Sequence, residues 1–204
     1  MISLFYLYLI VGGMPQAVQA YVDKNNIQTV QAVQTDIRNL YYLDFTKYAD
    51  RDKLRIRNIY DCIPSELNKQ NKRFIFTHLD KELHFDRYQN SFLWLKDAGV
   101  AVPVYLANQC KSPLEQNRAS NFFKLFMNDV GMLDAFYPNA VRLRILNHDA
   151  DINNGALFEN AAVQQLLCNG FTPYYFRRKA VGEVDFLIEK DGYPVPIEIK
   201  SGKN

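Results

Sequence analysis

The chain has 204 residues, 48% of them hydrophobic and 23% charged, with a formal net charge of +2. That is enough for one or two domains with real cores, and it excludes a disordered chain. The charge permits a nucleic-acid partner without demanding one, and three scattered cysteines (Cys62, Cys110, Cys168) argue against a disulfide framework or a zinc ribbon and suit a reducing cytoplasm.

In chain order, Met1 to Val11 is apolar but too short to span a bilayer and lacks a basic flank, so it reads as core-forming sequence rather than a signal or anchor. Gly12-Gly13-Met14-Pro15 is a turn with Pro at a first helical position. Apolar spacing then predicts helices from Pro15 and from Ile27 to about Tyr42, a packing platform over residues 1–50. Further helical spacing runs through Leu54, Ile56, Ile59, Tyr60 and Ile63. Pro64 is expected to break it, with Ser65 capping a short new helix. A third helix fits Phe85 to Ala98, with Tyr88, Phe92 and Leu95 on one face and Gly99 at its end. A strand follows at Val100–Ala107. Helices followed by a β element is the order of a winged helix-turn-helix, so residues 51–150 are expected to form such a domain. Its basic residues are Lys69, Lys72, Arg73, Lys81 and Arg87. Phe122 to Val130 reads as another helix, and the polar tract Asn147–Gly155 as a domain boundary, with His148, Asp149 and Asp151 in a solvated loop.

Residues 151–204 change character: a helix from Gly155 ended by Asn169-Gly170, then strands at Phe171–Arg178, Val184–Glu189 and Val195–Lys200. Asp191-Gly192 is a hairpin turn. On a regular strand Glu198 and Lys200 share a face, and Asp185 on the paired strand can lie near Glu198. Two close carboxylates repel unless a divalent cation or a lysine sits between them. Asp185 and Glu198 therefore suit Mg²⁺ held together with water and phosphate oxygens, and Lys200 suits a group that orients an attacking water or stabilises developing charge. Glu159, on the preceding helix, is an accessory acid at the same end of the sheet. The second reading is a module that binds DNA or a partner protein without cutting, with Arg177, Arg178, Lys179, Lys203, Lys72 and Arg73 as DNA phosphate contacts, and the third is an inactive remnant.

GALFEN (155–160), EVDFL (183–187) and PIEIKSGKN (196–204) resemble the signature of the PD-(D/E)XK nuclease-like superfamily. More specifically, with YLIVGGMPQAV (8–18), DCIPSELNKQNK (61–72), WLKDAGV (94–100) and FKLFMNDVGML (123–133), nearly the whole chain resembles the C-terminal part of prokaryotic AAA-type ATPases that carry the DUF4143 domain. The resemblance implies a restriction-endonuclease-like α/β domain after a helical, winged-helix region, DNA as partner, a separate ATPase module, and no membrane. The phosphate-cradling G-x-x-x-x-G-K-[ST] loop of that module is absent from the sequence, so no ATP site is expected here. The apolar start and the end at the third strand are read as those of a truncated fragment, with the last strand left partly uncovered. No dinucleotide fingerprint and no Ser/His/Asp set accompanies the three histidines, His78, His84 and His148.

Overall fold

The computed structural model describes residues 2–48, 52–75, 85–178 and 182–200. Among these residues there are eight α-helices and one mixed five-stranded sheet. The helices are α1 (Ile2–Val11), α2 (Pro15–Lys24), α3 (Ile27–Tyr48), α4 (Lys53–Leu67), α5 (Phe85–Asp97), α6 (Val130–Asp134), α7 (Asn139–Leu146) and α8 (Gly155–Cys168). The strands are β1 (Ala101–Ala107), β2 (Arg118–Met127), β3 (Tyr174–Arg178), β4 (Gly182–Lys190) and β5 (Tyr193–Ile197), in the order β2-β1-β3-β4-β5. All neighbours are antiparallel except β1 and β3, which are parallel.

The sheet joins strands from both sides of the tract at 147–155. β1, placed by the sequence where a wing would stand, is an interior strand that pairs with β2 on one side and β3 on the other. One large core runs from Leu9 and Ile10 of α1 through α4, α5 and β2 to Phe186 of β4. A parallel pair needs a long crossover, and the chain between β1 and β3 supplies one, through β2 and α6–α8.

Two expectations about helices fail for physical reasons. Phe122–Val130 is not a helix: β2 extends to Met127 and is buried without a break from Phe123 to Met127. A short apolar run covered on both faces has no periodicity to separate strand from helix. Pro64 does not break α4, which continues to Leu67. Ile63, Glu66 and Leu67 are buried there, and this packing outweighs the hydrogen bond a proline removes. Ser65 is accordingly no cap; its Oγ donates to the Cys62 carbonyl at 2.9 Å.

Pro15 begins α2, Gly99 (φ +67°) follows α5, and Gly170 (φ +79°) follows α8, as their sequences predict. Asp191 and Gly192 both take positive φ (+53° and +80°), the left-handed pair of a tight hairpin. β5 lies at the sheet edge, and Pro194 and Pro196 offer no N–H along it, which blunts its capacity to template another strand. α1 buries Leu9, Ile10 and Val11 but leaves Ile2 and Leu4 exposed. No described helix is long and apolar enough to cross a membrane.

α8 is fixed to the sheet by polar side chains. Asn160, fully buried, accepts from the Met127 N–H (2.9 Å) and donates to the Met127 carbonyl (3.2 Å). Gln164 accepts from the Val130 N–H and donates to Asp129. Asn160→Leu strands both Met127 groups in the core, so a loss of about 2 kcal/mol is expected in chemical denaturation.

Candidate functional site

α8 presents Glu159 one residue before the Asn160 anchor, and this carboxylate is buried. Lys72, in the irregular segment after α4, is ion-paired with its Oε1. Lys124 of β2, also buried, lies 3.8 Å from its Oε2 and 3.0 Å from Glu183 Oε1 of β4. The same ammonium stands 5.2 Å from the Tyr175 ring centroid, an aromatic face turned to a cation. Burial raises the Glu159 carboxyl above its usual range, while Lys124 and Lys72 oppose the rise and the negative charge of Asp185 adds to it. Burial likewise pushes the Tyr175 phenol up to about 12, against the nearby Arg73.

Asp185 accepts from the Ile199 N–H at 2.8 Å. The β4–β5 register ends with Phe186 paired to Ile197, so Asp185 and Glu198 are the next residues on either side of the last pair. β5 ends at Ile197, so Glu198 and Lys200 lie beyond the strand expected to carry them. They pair with each other, Lys200 Nζ to Glu198 Oε1 at 2.8 Å, and both are largely open to solvent. That hydrogen bond raises the Lys200 ammonium above its usual range.

The basic residues divide. Arg177, half exposed, lies 3.6 Å from Glu183, and Arg178 beside it is exposed. Arg73 stacks its guanidinium over the Phe122 ring at 3.9 Å, and burial lowers its proton affinity. Lys72 is taken up by Glu159 instead of facing solvent freely. Lys69 is paired with Glu66. Lys81, Lys179 and Lys203 lie outside the described residues, as do His78 and His84, and nothing is described of the Arg87 side chain. In the 147–155 tract, His148 stacks on Tyr6 and Asp149 pairs with Arg144. Among the described residues no group of three or more His, Cys, Asp and Glu is placed to hold a metal.

The structure thus draws Glu159 and Asp185 toward one end of the sheet and sets Glu198 and Lys200 at its rim. Sequence reasoning missed Lys124 and Glu183, which occupy the centre. The signal for Lys124 is its place inside FFKLFM: a lysine in a run buried on both faces must find a carboxylate.

Residues 2–145 match the family model described as Domain of unknown function (DUF8612). The chain belongs to this family. Residues 154–204 match Domain of unknown function (DUF4143). The DUF4143 match thus covers α8 and the C-terminal strands, while the blocks quoted between residues 8 and 133 fall in the DUF8612 region. No curated protein matches the chain, and no solved structure does.

Proposed function

We propose that this DUF8612 protein is a cytoplasmic, DNA-associated module that works with an ATPase of the AAA type, and that its nuclease-like constellation grips phosphate instead of cutting it. The ATPase connection rests on the resemblance of the chain to ATPases that carry DUF4143. The observation that carries the phosphate-gripping reading is the state of the acids. Glu159 is held by Lys72 and Lys124, Glu183 by Lys124, Glu198 by Lys200, and Asp185 by a backbone N–H. Lys124, between Glu159 and Glu183, thus stands where a divalent cation would hold two carboxylates. Arg178, exposed at the end of β3, and Arg177, beside it and ion-paired with Glu183, are the cations that meet a phosphodiester backbone in this reading.

The test is fluorescence anisotropy on linear and branched DNA, in chelator and in Mg²⁺ or Mn²⁺. Binding is expected in chelator, without cleavage in either metal. Arg177→Ala and Arg178→Ala are each expected to weaken binding on every sequence and to lower the salt slope by about 1. Absence of DNA binding overturns the reading.

A second reading, metal-dependent cleavage, is favoured by the position of Asp185 and Glu198, the residues next to the last β4–β5 pair, Phe186 and Ile197. Two carboxylates completed by water and phosphate oxygens is an ordinary Mg²⁺ set. Asp185, with one oxygen bonded to the Ile199 N–H, and the solvent-facing Glu198 fit it once Lys200 yields its ion pair. Glu159 would serve as accessory acid and Lys200 would position water. Cleavage in Mg²⁺ that is lost in the Asp185→Ala/Glu198→Ala variant replaces the first reading with this one.

A further inference from the structure

We propose that Glu159 is an internal stand-in for a phosphate group: in the free protein it holds Lys72, and a bound phosphodiester takes Lys72 from it. The inference rests on the phosphate-gripping reading and adds its regulation.

The two partners differ in their freedom. The Glu159 side chain is 5% exposed and fixed on α8 beside the Asn160 anchor. The Lys72 side chain is 19% exposed and hangs from an irregular segment between α4 and residue 75. That segment is tied to the sheet on the far side of Lys72, by the Phe74 N–H to the Phe123 carbonyl (2.9 Å) and by Arg73 over Phe122. Lys72 can thus swing its four-carbon stem toward solvent while its backbone stays in place. Glu159 cannot follow it.

Glu159 is not abandoned when Lys72 leaves. Its Oε2 makes no hydrogen bond among the described residues, and the Lys124 ammonium 3.8 Å away is positioned to close on it. The destination is also set. Arg73 follows Lys72 in the same segment, and Arg177 shares Glu183 with Lys124, the second lysine of Glu159. A carboxylate and a phosphate offer a lysine the same kind of charge-assisted acceptor, and a phosphate held by three cations outbids one carboxylate that has a second lysine of its own.

Affinities for inorganic pyrophosphate and for a short DNA duplex test this, measured on the wild-type chain and on Glu159→Gln, Lys72→Met and the double variant. Glu159→Gln is expected to bind both probes roughly fivefold tighter or more. Its salt slope for DNA should steepen by about 1. The double variant should lose the gain. Unchanged or weaker binding of both probes by folded Glu159→Gln overturns the proposal. Tighter pyrophosphate binding with no DNA binding sustains the stand-in and removes the DNA reading. DNA binding with no gain in Glu159→Gln does the reverse. If Glu159→Gln fails to fold, Lys72→Met and Lys72→Arg decide. Met should weaken DNA binding about fivefold while Arg preserves it, and equal affinity of the two with wild type overturns the proposal.

Discussion

Arg142→Met is expected to cost the fold about 3–5 kcal/mol, a fall in Tm on the order of 10 °C for a chain of this size. Arg142 is wholly buried, and its Nε contacts the equally buried Asp134 carboxylate. It also donates to Gln34 Oε1 at 2.7 Å and to the Ile10 carbonyl at 3.4 Å, so one guanidinium ties α7 to α6, α3 and α1. Removing it leaves a carboxylate in the core with no compensating charge. Burial already pushes the Asp134 carboxyl up to about 7, with Arg142 opposing that rise. The folded chain therefore holds a proton there more tightly than the unfolded chain, whose carboxyl titrates near 3.8. That contribution is complete below about pH 4 and is lost as pH climbs through 7. Without Arg142 the folded carboxyl rises further, so the deficit of Arg142→Met should be smaller at pH 5 than at pH 8. Asp134→Leu combined with Arg142→Met should recover most of the loss, because a packed apolar pair of similar volume replaces a buried ion pair at little cost. Thermal denaturation of Arg142→Met, Asp134→Leu and the double variant at both pH values checks this. A single variant as stable as wild type at pH 8 would show that the pair carries no structural weight.

The same buried pair shows where the sequence was readable and where it was not. Helices α2, α3 and α5 announce themselves because each shows one face to water, and spacing at three and four residues survives in Tyr88, Phe92 and Leu95. The C-terminal hairpin is equally legible, since Asp191-Gly192 supplies the left-handed pair its turn requires. β2 is not, because burial on both faces erases the alternation. Arg142 and Asp134 look like surface charges in a one-dimensional reading. Only the packing of α6 and α7 against α1 puts them in the interior.

The site follows the same logic. Glu159, Asp185, Glu198 and Lys200 are singled out by the sequence pattern, and the β4–β5 register that pairs Phe186 with Ile197 brings the chain at Asp185 and at Glu198 to the same end of the hairpin. The partners of Glu159 are not legible there, because they come from distant parts of the chain. Lys72 and Glu159 are 87 residues apart, and Lys124 reaches Glu183 from the other edge of the sheet. A basic residue counted as a DNA contact from sequence can be spent on an internal acid, and only the tertiary contact distinguishes Lys72 from Arg178.

Gly12→Ala is expected to be as damaging as the loss of Arg142, for a different reason. Gly12 follows α1 with φ +73°, and a Cβ there would collide with Asp129 Oδ1 and stand 2.8 Å from the Gly131 backbone. Asp129 cannot retreat cheaply. It caps α6 through the Met132 N–H (3.2 Å), accepts from the Gly13 N–H (2.6 Å), and accepts from Gln164 of α8 (3.0 Å). The GlyGly block and Asp129 are therefore one joint between α1, α6 and α8. Gly131 is the other half of it: its own Cβ would lie 2.6 Å from the Val11 carbonyl and 2.8 Å from Gly12 Cα. Gly99 has a similar positive φ (+67°) but open space around its missing Cβ. A series of three alanine variants thus separates backbone strain from crowding. Gly99→Ala should cost about 1 kcal/mol. Gly131→Ala, with no positive φ, should cost more than about 2 kcal/mol by crowding alone. Gly12→Ala combines both effects and should exceed about 4 kcal/mol. Urea denaturation of the set gives the order. Equal costs at Gly12 and Gly99 would mean that the approach of α1 to α6 is not the constraint, and that the block is a turn signal and nothing more.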